Sequence, residues 1–574
     1  MEQNIRTGKK VSWKELSRMF PPTKDETERA RTLFISFEKE GYLRGEDLSP
    51  RKNSKAVIID FYNRLALMRS PESPVRRKKK ADWMNERDYA RFNHHDYADT
   101  ESYPLFLQLS LIPSIRAGAL ILAPFTTNRK GELNTVDSHS RICELYSEKD
   151  LMERGFSPED QFHLFIDAIH LLGKCVGYTL DYRMDRFAVA VMRRPELFRW
   201  IDRNSGIPYR EMLTEENQQK ITGKVNSLVN GFLRELNGSP ADEDYDRLRS
   251  LLKDSGFWTV PSCLNGSAQL PFLHPEHIGP VPHFSGGVEN LTSFKFHLSV
   301  HSDESLRPAG KHNDVAVNYY GSLYIKWRDS FSFDLIKFSG IDYIDDEQKR
   351  SADSPDLDIV SKVISKTRGA ISHTGVIGSV STGNDNLAAA GFNVLFREAG
   401  DESPDRTYMD DFFRSSRYHS GLATALPVRF GTVDSLRRLF LSRFSGTGKN
   451  RIPKYEINGQ DSALYHRIEN VYTRYRDVMK KGELEGFFVE DQVAWWIVKS
   501  GSNILIPVIS LDNLQEAVPE KINIDYSAVN HSSRILSVLE YDFNSSRGDL
   551  FLCGDDSILC ENLPYRGFRL YSIQ

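Results

Sequence analysis

Four short stretches of the sequence hold residue types that bind metals, phosphate or polyanions. Asn93-His94-His95-Asp96 offers imidazole and carboxylate ligands. Adjacent histidines diverge on any regular element, and no second cluster stands at metal-motif spacing. The stretch therefore reads as a polar loop, and no metal is expected. Gly446-Thr447-Gly448-Lys449-Asn450 has the look of a phosphate-binding loop, but Arg443 stands where its first glycine belongs. Asn450 also replaces the hydroxyl residue that holds magnesium in such loops, so a turn is expected. Asp342, Asp345, Asp346 and Glu347 cluster at a loop-to-helix transition. Acids there favour the partly positive start of a helix. Arg76-Arg77-Lys78-Lys79-Lys80 is a run of five cations after Ser70-Pro-Glu-Ser-Pro74. Such a run suits nucleic acid or acidic lipid, yet in an acidic chain the ordinary reading is a solvated loop.

The composition sets the frame for these stretches. The chain has 574 residues, of which 40% are hydrophobic, 11% aromatic and 27% charged. That mixture excludes a disordered chain, a collagen-like repeat and a coiled-coil rod. Lys plus Arg (75) against Asp plus Glu (79) leaves a net charge of −4, so nucleic acid is not an expected partner. No uninterrupted apolar run reaches the ~18 residues of a membrane span, and no membrane partner is expected. The start, MEQNIRTGKKVSWKEL, lacks the apolar core of an export signal. Five scattered cysteines fit a reducing compartment, so a cytoplasmic location is expected. No cofactor is indicated.

Periodicity then places the elements. Ala30, Leu33, Phe34 and Phe37 recur at helical spacing within 27–39, in an N-terminal extension (1–103) that is partly helical. From residue 104 short apolar runs alternate with amphipathic helices. Ala117–Pro124 suits a strand buried on both faces. Ser157-Pro158-Glu159-Asp160 starts a helix that Gly173 closes, and Cys175–Leu180 is the next strand. Together they form one right-handed βαβ unit. Residues 187–317 interrupt the rhythm, with a charged helical stretch and then Gly/Pro-rich loops. It resumes with a helix at 321–327 and strands at 333–338, 370–373, 392–396 and 423–430. Helices are expected at 357–367, from Asp434, and at 462–480. After 484 short strands separated by turns predict an antiparallel β-sandwich, in which Trp495 and Trp496 face opposite sides. The expected fold class is α/β: a (β/α)8 TIM-like barrel (104–483) with an insertion, followed by an all-β domain (484–574).

This order of pieces resembles the alpha-amylase family (glycoside hydrolase family 13). Gly118–Pro124 looks like the family's second strand, and Pro158–Val176 like the helix leading into its third. Phe331–Tyr343 resembles the fourth-strand motif, and Asn562–Tyr571 the closing strand. The resemblance implies a retaining mechanism, in which one carboxylate attacks the anomeric carbon and a second carboxyl protonates the leaving oxygen. On that alignment Lys337 stands at the motif's Arg, Ser339 at the nucleophile, and Tyr343 at the following His. No carboxylate occurs near Ile371–Gly375, where the acid is due, and His373 is the substitute proton donor there. Asp434 keeps the seventh-strand Asp while its His is lost, and Asp181 keeps the first Asp of the third-strand motif. Asp342 is the carboxylate nearest to Ser339.

The candidate catalytic residues are thus Asp434, Asp342 and His373. Asp181, Tyr178, Tyr182, Lys337, Tyr343 and Arg186 are the candidate substrate contacts, with Tyr178, Tyr182, Phe338 and Tyr343 placed to stack on a sugar. A serine hydroxyl is uncharged near neutral pH and needs a base before it attacks. The resemblance therefore implies an alpha-glucan-associated protein whose catalysis has degenerated, acting in binding or as a scaffold. The alternative is an active alpha-glucan hydrolase or transglycosidase using displaced carboxylates.

Overall fold

The computed structural model describes residues 12–43, 47–48, 52–87, 89–92, 108–126, 142, 147–236, 240–260, 291–300, 308–339, 357–369, 371–380, 390–397, 409, 423–425, 427–429, 433–444, 454–456, 463–490, 493–511, 521–525, 535–541, 553–554, 557–561 and 567–573. Three helices come first: α1 (Trp13–Met19), α2 (Lys24–Glu40) and α3 (Lys55–Met68). Each starts where a hydroxyl, from Ser12, Thr23 or Ser54, accepts a first-turn backbone N–H. Ala30, Leu33 and Phe37 form the buried stripe of α2.

Eight parallel strands follow. They are β1 (Tyr89–Phe92), β2 (Ala119–Leu122), β3 (Cys175–Asp181), β4 (Leu335–Ser339), β5 (Gly375–Val380), β6 (Val394–Arg397), β7 (Ala423–Ala425 and Pro427–Arg429) and β8 (Lys454–Glu456). Each pairs with the next in sequence. The first half of β7 pairs with β6 and its second half with β8, with one residue, Leu426, between the halves. β8 then pairs with β1, which closes the ring. The barrel expected from the rhythm is therefore present. Its first strand comes from within 1–103, where Tyr89-Ala90-Arg91-Phe92 offers no apolar run to signal it.

Between the strands lie α4 (Pro158–Leu171), α7 (Asp314–Phe331), α8 (Leu357–Arg368), α9 (Val433–Phe444) and α10 (Ala463–Lys481); α5 (Glu215–Glu235) and α6 (Asp242–Asp254) belong to the insertion. Ser157 and Asp160 cap α4 reciprocally with Pro158 at its first position, and Gly173 ends it at φ +74°. The insertion runs from the end of β3 to α7. It contains antiparallel pairs as well as helices: Arg183–Asp185 with Leu291–Ser293, Trp200–Asp202 with Phe257–Thr259, and His297–Val300 with Pro308–His312. Strand 370–373 is a correction. Ile371 to Thr374 form a turn after Gly369, whose φ is +52°, and β5 begins only at Gly375.

Alternation divides β1 to β6 between two cores. Tyr89, Ala119, Ile121, Cys175, Leu335, Ile377 and Val394 fill the ring's interior, closed from below by Val75, Ala81, Trp83 and Met84. Ala90, Phe92, Leu120, Leu122, Val176, Tyr178, Leu180, Ile336 and Phe338 belong to the outer core under the helices. Gly177 is required in the interior, because a Cβ there would stand 2.1 Å from the Leu335 carbonyl oxygen.

The base is tied by polar contacts. Asp334 accepts from Val176 N (2.8 Å) and Ser73 Oγ and meets His170 Nε2 at 3.2 Å. Lys174 Nζ donates to the carbonyls of Ile115 (2.5 Å) and Ala117 (2.9 Å). Burial, with repulsion from Arg87 second, lowers the Lys174 amine to about 7.

The C-terminal region is antiparallel. Strands β9 (Glu483–Glu490), β10 (Val493–Ser500), β11 (Asn503–Ser510), β12 (Ile535–Tyr541) and β13 (Phe568–Ile573) form a sheet ordered β9-β10-β11-β13-β12. Lys521–Asp525, Ser557–Glu561 and Cys553–Gly554 make a second sheet. The larger sheet docks on α9: Phe440 stacks on Phe568 at 4.4 Å, Arg437 donates to Ser510 O, and Trp496 Nε1 donates to Phe444 O (2.5 Å). Trp495 stacks instead on Phe488. Arg443 and Glu469 join α9 to α10 as a buried bidentate pair (2.7 and 2.9 Å).

Gly177→Ala is expected to lower stability by about 1–3 kcal/mol, read by urea unfolding, because the backbone of β4 cannot yield cheaply. Stability is also expected to rise with pH. The folded Lys174 amine ionises near 7 and the unfolded one at 10.5, so the unfolded chain binds the extra proton between those values. Lys174→Met should remove that slope in urea midpoints taken from about pH 7 to pH 9.5.

Candidate functional site: the rim of the barrel

All eight strands run the same way, so their C-terminal ends share one rim. That rim is where barrels of this kind bind substrates. β3 ends there with Asp181 and β4 with Ser339, side by side in register. One layer inward Lys337 stands between Thr179 and Ile377. Lys337 and Thr179 are buried, and Ser339 is half-buried. The structure thus brings together Asp181, Lys337 and Ser339.

Asp181 is held by Arg183, a residue that the sequence reading did not single out. Arg183 Nε and Nη2 donate to the two carboxylate oxygens at 2.7 and 2.5 Å, and Arg183 N donates to Oδ1 at 3.0 Å. The chain turns at the end of β3, which lets the residue two places on fold back over the acid. A carboxylate engaged on both oxygens by one guanidinium is an anchored ion pair. It is not a free nucleophile.

Several candidates lie elsewhere. His373 precedes β5, at the base of the ring, and its carbonyl accepts from Trp83 Nε1 (2.8 Å). Burial lowers its pKa, opposed by the nearby Asp334. It therefore cannot protonate a ligand at the rim. Tyr178 points outward into an aromatic cluster with Phe125 (5.1 Å), Phe333 (5.0 Å) and Tyr324 (6.1 Å), where burial pushes its hydroxyl well up. Phe338, expected to point inward, packs outward on Tyr320 of α7 (5.7 Å). Tyr182 is buried with Arg183 over its ring, so no sugar reaches it. Arg186 is buried too, donating to Thr259 O and lying over Trp258 at 5.2 Å, and it braces the insertion. Asp434 is the second residue of α9, on the rim side because that helix follows β7. Asp342 and Tyr343 lie outside the described residues, as do Asn93–Asp96 and Gly446–Asn450. Among the described residues, no three His, Cys, Asp or Glu side chains converge as metal ligands.

No protein-family model matches the sequence, and no curated protein matches it. Solved structures do match. Isomaltulose synthase from Klebsiella sp. LX3 aligns with a TM-score of 0.52 and 7% identity, over 86% of this chain and 99% of that one. An Anoxybacillus alpha-amylase aligns with a TM-score of 0.48 and 11% identity, over 85% and 98%. Trehalose-6-phosphate hydrolase from Bacillus licheniformis gives 0.48 and 10%, over 86% and 99%. The fold is shared with the isomaltulose synthase: a TIM-like barrel carrying an antiparallel C-terminal domain.

Arg183→Leu is expected to destabilise the chain by about 1–3 kcal/mol, since it leaves a mostly buried carboxylate without its partner. Asp181→Asn added to that variant should recover part of the loss in the same urea titration.

Proposed function

We propose that this is an alpha-amylase-like, carbohydrate-associated cytoplasmic protein that binds an alpha-glucan at the rim without cleaving it. Ser339 carries the reading. It ends β4 beside an Asp181 already engaged by Arg183, at the position that the resemblance assigns to an attacking acid. Retaining cleavage needs two carboxyls ~5–5.5 Å apart, one of them a free nucleophile. A hydroxyl supplies no charge to stabilise an oxocarbenium-like transition state. The position of His373 at the base removes the proposed substitute for the acid. The isomaltulose synthase that shares the fold is named for a saccharide, which supports a saccharide as the ligand; the narrower class, an alpha-glucan, comes from the resemblance of Phe331–Tyr343 to the fourth-strand motif.

Incubation with maltodextrin should release no reducing ends above a protein-free control, while calorimetry with maltoheptaose should show binding. His373→Ala, at the base, should change neither result. Steady release of reducing ends that collapses in Asp434→Ala would overturn the proposal in favour of an active hydrolase or transglycosidase.

A further inference from the structure

The base of the ring, opposite the rim, carries a pattern that saccharide binding does not use. After α3 the chain crosses beneath the strands and is pinned at intervals. Arg69 Nη1 donates to Leu171 O (3.2 Å), Ser73 Oγ to Asp334, Ser372 Oγ to Lys79 O, and Trp83 Nε1 to His373 O (2.8 Å). Val75 and Ala81 seat in the interior core on either side of the basic run. Between them Arg76, Arg77, Lys78, Lys79 and Lys80 are all exposed. Arg76 pairs with Glu72 at 2.5 Å, and among the described residues no acid pairs with the other four.

The crossing begins at the end of α3, where Leu67 is 76% and Met68 69% exposed, the two highest values for large apolar residues among those described. An anchored run of cations that follows, after seven residues, two solvent-facing apolar side chains is an electrostatic and hydrophobic match to an anionic lipid surface. Nucleic acid fits less well. Single-stranded binders interleave aromatic side chains that stack on bases, and residues 67–82 contain none. The net charge of −4 makes the cluster a local feature. No helix among the described residues is long and apolar enough to cross a membrane, so the contact is peripheral.

We propose that the base of the barrel docks on an anionic membrane surface. Leu67 and Met68 enter the headgroup boundary, Arg77 to Lys80 contact lipid phosphates, and the rim faces away into solution. This departs from the sequence-based expectation of no membrane partner and is independent of any saccharide function.

The test is flotation of the full chain with vesicles of phosphatidylglycerol and phosphatidylcholine, against phosphatidylcholine alone. Binding is expected to the anionic vesicles at about 0.05 M salt, with release at about 0.5 M. Arg77→Gln/Lys78→Gln/Lys79→Gln/Lys80→Gln should weaken it at least about tenfold. Leu67→Ser/Met68→Ser should weaken it several-fold with the salt dependence unchanged. Removing four cations elsewhere (Lys220→Gln/Lys362→Gln/Lys366→Gln/Arg476→Gln) should leave it intact. Failure to float with anionic vesicles, equal loss in the control variant, or tighter binding to poly(U) RNA than to vesicles would overturn the proposal.

Discussion

Strand direction is the constraint on which the rest of this structure depends. Eight parallel strands give the ring a rim and a base, and hydrogen-bond register then fixes how far from either end each residue sits. Alternation decides whether its side chain enters the ring or lies under the helices. Asp181 and Ser339 end their strands and so stand at the rim. Cys175 and His373 stand at or before the starts of theirs, so they belong to the base. Tyr178 and Phe338 have outward parity and cannot reach a ligand, however aromatic the mouth looks on paper.

The base is built for stability. Trp83 and Met84 plug the ring, and Asp334 gathers a serine, a backbone amide and His170 in one buried cluster. The N-terminal segment is thereby part of the barrel's architecture. At the other side of the molecule, α9 and α10 meet the C-terminal sheet through stacked rings and buried arginines. Those contacts hold the ring's seventh and eighth units, and they leave the rim to the loops and the insertion that rises from β3.

Much of the fold was legible where local and long-range signals agree. α4 has a capping box, a leading proline and a closing glycine, and β3 is a near-continuous apolar run. β1 and β8 were invisible, since Tyr89–Phe92 and Lys454–Glu456 are too short and too polar to register. β5 was misplaced onto Ala370–His373, because its true start contains Gly375 and Gly378, which read as turn residues. Inward and outward parity was not legible at all, because both faces of a parallel barrel strand are buried and apolar. The candidate site suffered most from this: Tyr178 lies on the strand expected for it, yet it and Tyr182, both expected to stack on a sugar, are buried. Arg183 was hidden in plain view, two residues past the acid that it neutralises.

The central claim is that, at the adjoining ends of β3 and β4 on the rim, the one acid, Asp181, is not free to attack a sugar. Incubation with an activated fluorosugar that traps glycosyl-enzyme esters, followed by intact-mass spectrometry, addresses it at the level of the bond itself. An unchanged protein mass is the predicted result. A mass increase of one glycosyl unit, mapped by proteolysis to a carboxylate side chain, would contradict the account.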